Sequence, residues 1–109
     1  MEKLADQYYY SITMNTPAGL RYGDLTLNIK QENISGYLDI LNHKNRVSGK
    51  LLRHGQCELT GVIVSLMRKF KYTAVGKFDS YSIQLILKEQ NNCYQLYGTA
   101  KTGGKNELY

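Results

Sequence analysis

The sequence predicts an all-β fold: a single antiparallel up-and-down meander of about eight short strands that forms a small barrel or a strongly bent sheet. Apolar and polar residues alternate with period two along most of the chain, which is typical of antiparallel sheets with one buried face and one wet face. Turn-forming residues separate the alternating segments at short intervals. Tyrosine, which favours strands, accounts for ten of the 109 residues.

The first half of the chain predicts four strands, each with one apolar face that is expected to point inwards. Turns at residues 15–19, 31–33 and 42–45 separate these strands, because proline, glycine, asparagine and other polar residues there favour chain reversal. The side chains expected to point inwards are those of Tyr8, Tyr10, Ile12, Met14, Leu25, Leu27, Ile29, Ile34, Leu38, Ile40, Val47 and Leu51.

The second half of the chain predicts four more strands of the same kind. The junction at residues 65–69 has no turn residue, so a longer strand, a bulge and one turn of helix all remain open there. Residues 1–109 are expected to form one β-barrel domain, with a core over about 7–100 and a short polar tail at 101–109. The inward side chains are expected to be those of Cys57, Leu59, Ile63, Phe70, Tyr72, Ala74, Phe78, Tyr81, Ile83, Leu85, Leu87, Tyr94, Leu96 and Ala100.

Six glycines recur along the predicted strands, each followed two positions later by an apolar residue or alanine. Glycine weakens a strand, so a repeated glycine at inward positions indicates a sharp bend, a bulge or the close approach of another backbone. A row of such glycines would let the sheet coil tightly enough to close. The alternative is that successive hairpins simply resemble one another. The six are Gly23, Gly36, Gly49, Gly61, Gly76 and Gly98.

An eight-stranded meander of this length with a repeated glycine-x-apolar unit resembles the calycin-like barrels, which include lipocalins, fatty-acid-binding proteins and avidins. The resemblance covers roughly residues 8–100 and rests on pattern and length. The chain has no tryptophan, so it lacks the Gly-x-Trp hallmark of lipocalins. The resemblance implies a barrel, and no functional residue of those families transfers to this sequence.

The residues that carry most catalytic and metal chemistry are few and scattered. His43 and His54 fall beside turns on either side of the fourth strand, which indicates solvated positions at separate ends of that strand. No spacing of histidine, cysteine or acidic residues matches a metal site, and neither a catalytic residue nor a cofactor is predicted. The sequence therefore favours a non-catalytic protein, while an enzyme that uses His43 or His54 as its base stays open.

The cysteines and the chain termini bear on where the protein works. Cys57 and Cys93 are too few for a secreted disulfide scaffold and are interpreted as free thiols, with one bridge between them as the alternative. No signal peptide is recognisable, and no apolar run approaches the ~18 residues of a membrane span. The sequence therefore predicts a cytoplasmic protein.

Positive charge is concentrated in the middle of the chain. The chain carries a net charge of +5, but residues 40–78 hold eight basic residues and one acid, Glu58, and thus a net charge of +7. Strands four to six are neighbours in a meander, so their outward basic residues are expected to form one surface. This predicted basic face consists of Arg46, Lys50, Lys69, Lys71 and Lys77.

Two functions follow from these patterns. The first is a non-catalytic binding barrel for a small apolar or amphipathic ligand, although aromatic side chains in so small a barrel would also simply fill it. The second is an interaction module whose predicted basic face binds nucleic acid, another polyanion or a protein, with exposed tyrosines such as Tyr37, Tyr9 or Tyr97 as stacking surfaces. A solubilising surface that prevents edge pairing is the alternative for the lysines. The hypothetical cavity is lined by Tyr8, Tyr10, Phe70, Tyr72, Phe78, Tyr81 and Tyr94.

An apolar stripe on the nominally outer face accompanies the basic residues. Val62, Val64 and Leu66 alternate with inward residues, so they are expected to be covered by another element or to form an interface. This stripe predicts a possible homodimer contact.

Overall fold

A computed structural model describes residues 7–65 and 68–101 as a closed barrel of eight antiparallel strands in sequence order. Each strand pairs with the next, and β1 pairs with β8 to close the barrel. The predicted fold is therefore confirmed. The strands are β1 (Gln7–Thr16), β2 (Gly19–Lys30), β3 (Asn33–Ile40), β4 (His43–Leu51), β5 (Gln56–Val64), β6 (Lys69–Phe78), β7 (Ser82–Glu89) and β8 (Asn92–Ala100), and a short 3-10 turn spans Arg53–Gly55.

Tight turns connect most of the strands, and one of them is shorter than the sequence predicts. Leu41 and Asn42 both have positive φ, 56° and 65°, which suits a two-residue turn whose twist matches the flanking strands. As a result β4 already begins at His43, and Asn45 lies inside the barrel instead of in the predicted turn at 42–45.

The chain reversal between β5 and β6 takes place over residues 65–68. The backbone N–H of Ser65 donates to the carbonyl oxygen of Arg68 at 2.7 Å, and the hydroxyl of Ser65 donates to the same oxygen at 3.0 Å. Residues 66 and 67 lie outside the described part of the chain. β5 ends at Val64 and β6 begins at Lys69. The possibility of one longer strand through this junction is therefore wrong.

The turn between β6 and β7 corrects one predicted inward residue. The Asp79 carboxylate accepts hydrogen bonds from the backbone N–H groups of Tyr81 and Ser82, at 2.8 and 2.9 Å. Because Asp79 orders the turn in this way, β7 begins only at Ser82, and the Tyr81 side chain is 80% exposed. The prediction that Tyr81 points inwards is wrong.

The repeated glycines sit where neighbouring strands approach most closely. A Cβ atom added at Gly23, Gly36, Gly49, Gly76 or Gly98 would overlap a backbone carbonyl oxygen of the adjacent strand. At Gly61 the nearest atom would be the hydroxyl oxygen of Tyr72, at 2.6 Å. Each of these glycines pairs with a larger residue across the ladder, for example Gly36 with Leu27 and Val47. The interpretation that glycine permits a close approach inside the sheet is confirmed.

The inner faces of all eight strands form one hydrophobic core. Tyr10, Leu27 and Ile63 have no exposed surface, and the other fully buried apolar side chains expose at most 8%. Neighbouring protein atoms therefore cover nearly all of their surface. No helix in the described part of the chain is long and apolar enough to cross a membrane.

Candidate functional site

The aromatic residues predicted to line a cavity fall into separate contact groups in the structure. Tyr8 packs edge-on against Phe78, with ring centroids 5.1 Å apart, and Tyr10 stacks at 6.3 Å from Tyr8. Phe70 is only partly buried and approaches Tyr94 at 6.3 Å. Buried Tyr72 lies instead beside Gly61, and Tyr81 is exposed, as described above. The buried aromatic side chains thus belong to the hydrophobic core, and Phe70 packs against it.

Burial also raises the pKa values of several inner groups. Desolvation raises the pKa of the Cys57 thiol to about 11 and that of the Tyr72 hydroxyl to about 12. Burial raises the pKa of Tyr10 as well, and its hydroxyl donates to the carbonyl oxygen of Asp79 at 2.5 Å. These groups are neutral at physiological pH, which suits packing and not nucleophilic chemistry.

The residues of the predicted basic face all point outwards, but register separates them into two groups. Arg46, Lys69 and Lys71 lie near one another around β5. Lys50 pairs across the ladder with Glu58, which neutralises part of its field. Lys77 pairs with Gln56, six residues along β6 from Lys71, or about 20 Å at 3.4 Å per residue.

Two further basic residues complete the compact group. Lys44 lies two positions from Arg46 on the same face of β4. Lys88 on β7 pairs with Thr73, which places it diagonal to Lys71. The five exposed residues Lys44, Arg46, Lys69, Lys71 and Lys88, here called the basic cluster, span β4 to β7.

The valines of the predicted apolar stripe lie in the middle of the basic cluster. Val62 pairs with Lys71 and Val64 with Lys69. Val47 pairs with Gly61, which brings the next residue, Arg46, beside Val62. Both valines are half-buried although they face outwards, because long aliphatic stems of basic side chains can cover such residues. Leu66, the third residue of the stripe, lies outside the described residues.

A shallow groove crosses the basic cluster and gives it a concave centre. It has a volume of about 590 Å³ and is lined by residues of β5, β6 and β7, including Thr60, Val62, Lys71, Thr73 and Lys88. No carboxylate lines it. Two acids lie nearby on the described strands. Glu58 is two residues from Thr60 on the same face of β5, and Asp39 pairs with Lys44 at the edge of the basic cluster.

Tyr37 borders the basic cluster on its β3 side. Its cross-strand partner is Arg46, whose guanidinium carbon lies 5.8 Å from the ring centroid, and the Lys44 ammonium lies 5.1 Å from it. Both distances fall within the range of cation–π attraction. The ring and the two cations therefore form one contiguous surface.

The mouth of the barrel formed by the β1–β2, β3–β4, β5–β6 and β7–β8 connections contains a second candidate site. An open cleft of about 680 Å³ lies there, called the mouth cleft below. Its walls are mostly apolar, with Met14, Leu41, Phe70 and Tyr94 among them. Two guanidinium groups, of Arg21 and Arg68, also line it.

A buried carboxylate is the polar centre of this mouth. Glu89 is 4% exposed, and its carboxylate accepts a hydrogen bond from Arg68 at 2.7 Å and one from the hydroxyl of Tyr94 at 3.2 Å. The Arg68 guanidinium lies 4.6 Å from the Phe70 ring centroid and is half exposed. Burial, followed by the bond to Glu89, raises the pKa of Tyr94. Arg68 thus covers Glu89 while part of its guanidinium still faces the cleft.

A second groove on the outer surface is more apolar than the basic cluster. It crosses β5 to β8, has a volume of about 670 Å³, and includes the exposed side chains of Leu52, Val75, Ile86 and Tyr97. Lys77 and Glu58 lie at its border, so it combines both signs of charge.

The remaining candidate residues stay apart. His43 and His54 are exposed at opposite ends of β4, as the sequence predicts. Cys57 and Cys93 are both free thiols, so the alternative of a bridge between them is wrong. Within residues 7–65 and 68–101, no three His, Cys, Asp or Glu side chains lie close enough to hold a metal ion.

Besides Lys44, which falls in the predicted turn at 42–45, three candidate positions were not identified from the sequence. Lys88 lies outside the basic segment of residues 40–78, although β7 is the spatial neighbour of β6. Glu89 has the inward parity of Ile83, Leu85 and Leu87, and this signal could have identified it as a buried acid. Its partner Arg68 follows residues whose conformation the sequence pattern does not define.

No family model, no curated protein and no solved structure matches this chain. The eight-stranded closed barrel is compatible with a small-barrel fold, and the function has to be argued from the surface itself.

Proposed function

We propose that the protein is a non-catalytic binding protein that holds a polyanion against its basic cluster. The observation that carries this proposal is the convergence of five exposed cations from β4, β6 and β7 on one surface, where Lys71 and Lys88 line a groove without carboxylates. Clustered cations raise the local concentration of a polyanion and release its counterions on binding. The packed interior favours this outer surface over a cavity inside the barrel as the place of binding.

Charge placement, more than net charge, supports this function. A solubilising surface only needs charges of mixed sign at scattered positions. Here the ladder partners of Lys69 and Lys71 at the centre of the basic cluster are valines, whereas Lys44 at its edge faces Asp39 and Lys50 outside it faces Glu58. Partners without charge leave the full field of the two lysines available to a ligand.

The test compares two double variants with the same change of charge. Lys69→Glu together with Lys71→Glu reverses the centre of the basic cluster, and Lys50→Glu together with Lys77→Glu is the matched control outside it. Heparin-affinity chromatography should retain the natural protein and the control, with the control eluting at slightly lower salt. The variant in the basic cluster should elute without retention at about 0.15 M salt, where screening already weakens remaining contacts.

Two results would contradict the proposal. The first is that the natural protein does not bind heparin at low ionic strength. The second is that both variants lose the same affinity, because net charge alone would then explain binding. Circular dichroism of all three proteins checks that the barrel is intact.

A second candidate function is the binding of a small amphipathic ligand, and the mouth cleft favours it. The cleft joins an apolar lining to the partly exposed guanidinium of Arg68, so an apolar molecule with one anionic group matches it. This keeps the small-molecule hypothesis but moves it from the interior to the barrel mouth.

The fluorescent sulfonate anilinonaphthalene sulfonate provides a direct probe of this second candidate. Phe70→Ser in the mouth cleft should abolish most of the fluorescence enhancement, while Val75→Ser in the outer apolar groove should leave it unchanged. The opposite ranking would assign the probe to the outer groove and reject the mouth cleft. Native mass spectrometry of gently purified protein would reveal a co-purified ligand as a discrete added mass.

A further inference from the structure

We infer that the polyanion is a single-stranded nucleic acid, whose bases stack on Tyr9 and Tyr37 while its phosphates contact the basic cluster. This inference rests on the proposed function and specifies its ligand. It depends on an aromatic row that the register builds beside the cations: Tyr9 on β1 pairs with Thr26 on β2, and Thr26 pairs with Tyr37 on β3. Tyr37 then pairs with Arg46.

The row places two rings at a spacing suited to a flexible strand. Both tyrosines face outwards, with 43% of Tyr9 and 36% of Tyr37 exposed. They are two strands apart, which corresponds to about 10 Å at the usual strand spacing. Only Thr26 lies between them, and its small side chain leaves the space above it open.

Hydrogen bonds hold the Tyr9 ring along the surface. Its hydroxyl donates to Oε1 of Gln7 at 2.6 Å, and Nε2 of Gln7 donates to Oδ1 of Asn28 at 2.7 Å. Gln7 is two residues before Tyr9 on the same outer face of β1, so the ring must lean along the strand to reach it. A leaning ring presents a face to solvent, which is the geometry that stacking needs.

The other ring is joined to the cations directly. The Lys44 ammonium and the Arg46 guanidinium lie over the Tyr37 ring, within 6 Å of its centroid. A base that stacks on Tyr37 therefore takes the place of a cation on the ring face, and the displaced cation stays close enough to contact the phosphate of the same nucleotide. From Tyr37 the same row continues through Arg46 and Val62 to Lys71. On one side of the tyrosine row lies a neighbouring row made of Asn28, Ser35 and Ser48, which carries no charge.

Acids limit the surface on one side and fix its direction. Asp24 and Asp39 are opposite each other on β2 and β3, next to the tyrosine row. Asp24 forms an ion pair with Lys101, and Asp39 has Lys44 as its ladder partner on β4. A polyanion is therefore favoured along the tyrosine row and towards Lys71, and disfavoured towards the two aspartates. This selects a path across the strands of β1 to β7.

The pairing of rings with cations separates single strands from other polyanions. A sulfated glycan has charge but no flat aromatic face, and a duplex keeps its bases inside the stack, out of reach of rings on a convex sheet. In a single strand every base offers a face, so stacking adds affinity without sequence preference. A protein partner with acidic side chains would gain from the cations alone.

The experiment measures anisotropy of labelled single strands of about 12 nucleotides, which is within the site sizes of comparable surfaces. Tyr37→Leu and Tyr9→Leu should each weaken binding of the single strand by about tenfold. Heparin affinity should stay within about twofold, since the cations responsible for it remain. Tyr37→Phe keeps the ring and should keep the affinity, and Tyr81→Leu is a matched control at an exposed tyrosine outside the row.

The salt dependence gives a readout that a structural defect would not imitate. Leucine variants should shift the whole binding curve without changing its slope against salt, whereas Lys69→Glu with Lys71→Glu should flatten the slope by at least about 1.4, at about 0.7 per phosphate contact. If heparin binds but the tyrosine variants bind the single strand normally, or a duplex binds equally well, the inference is wrong and the proposed function stands. If neither polymer binds, the proposed function itself fails.

Discussion

Replacing Gly36 by alanine should destabilise the barrel strongly although alanine is only one methyl group larger. A Cβ atom at this position would lie 2.8 Å from the carbonyl carbon of Thr26, closer still to its oxygen, and 3.2 Å from the Cα of Leu27. These are backbone atoms of the paired strand β2, so no rotation of a side chain relieves the overlap. Only a separation of β2 from β3 does.

The expected cost follows from that separation. Overpacking of a filled interior costs roughly 1–3 kcal/mol, and each ladder hydrogen bond lost between the strands adds about 1 kcal/mol. Alanine gives the unfolded chain less conformational freedom than glycine does, and this offsets about 0.5–1 kcal/mol of the lost stability. With two ladder hydrogen bonds lost, the net loss should be about 2–4.5 kcal/mol, a large part of the ~5–15 kcal/mol that stabilises an ordinary domain.

Gly61 offers an internal comparison because a side chain opposes it. A Cβ atom there would lie 2.6 Å from the hydroxyl oxygen of Tyr72 and 2.9 Å from the carbonyl oxygen of Arg46. Gly61→Ala should therefore cost less than Gly36→Ala, about 1–2 kcal/mol. Tyr72→Phe removes the nearest atom, so the double variant should show favourable coupling of about 1 kcal/mol.

Urea denaturation followed by circular dichroism measures all of these variants. The midpoint should fall most for Gly36→Ala, while the dependence of the unfolding free energy on urea stays constant. If Gly36→Ala is neutral or stabilising, the strands do not need glycine to approach, and the account of the glycine repeat is wrong. If Gly61→Ala and Tyr72→Phe are simply additive, the hydroxyl is not the atom that opposes a Cβ.

Three more outcomes follow from the buried and turn-forming polar groups. Exposed Cys93 should react with a thiol reagent at once, and buried Cys57 should react only on unfolding. Because burial raises the pKa of Cys57 to about 11 in the folded protein, this thiol ionises at lower pH in the unfolded chain, and the free energy of unfolding should fall by about 1–2 kcal/mol from pH 8 to pH 10. Cys57→Ala should remove this loss of stability, and Cys93→Ala should not. Arg68→Met leaves the Glu89 carboxylate buried without its partner and should cost about 2 kcal/mol in urea melts, whereas adding Glu89→Gln should recover about half; equal costs for the single and double variants would contradict this. Hydrogen bonds from the backbone N–H groups of Tyr81 and Ser82 lower the pKa of Asp79, so the contribution of its carboxylate to folding stability is lost as the pH falls through that lowered pKa. Asp79→Ala should cost about 1 kcal/mol of stability at pH 7, and Asp79→Asn, which keeps an acceptor oxygen, should cost less.

The fold was predictable because strands of period two leave few arrangements for a chain with short connections. Alternation assigned the inner face of β3 correctly, for example, from Ile34 to Ile40. The same reasoning failed at Tyr81, which has inward parity with respect to Ile83. The alternation of inward and outward side chains holds only inside a strand. Tyr81 lies in the turn that Asp79 orders, because β7 begins one residue later, at Ser82.

The candidate surface was predictable only in part, since parity assigns a face but not a position along the strand. Lys50 and Lys77 do point outwards, yet register places one beside Glu58 and the other at the far end of β6. Lys88 is distant from the basic segment in sequence and close to it in space. The aromatic row likewise depends on three strands being in register, which a single sequence does not reveal.

The glycine repeat and the location of the candidate sites have a common cause. Close approach at positions such as Gly36 and Gly49 draws neighbouring strands together and narrows the barrel, and side chains as large as Tyr10 then fill the interior. Core side chains occupy the described interior, and the clefts described above lie at the mouth and on the outer face of the barrel. On the outer face this chain places Lys69 and Lys71 opposite uncharged valines and Tyr37 beside Arg46, and a solubilising surface has no need of either arrangement.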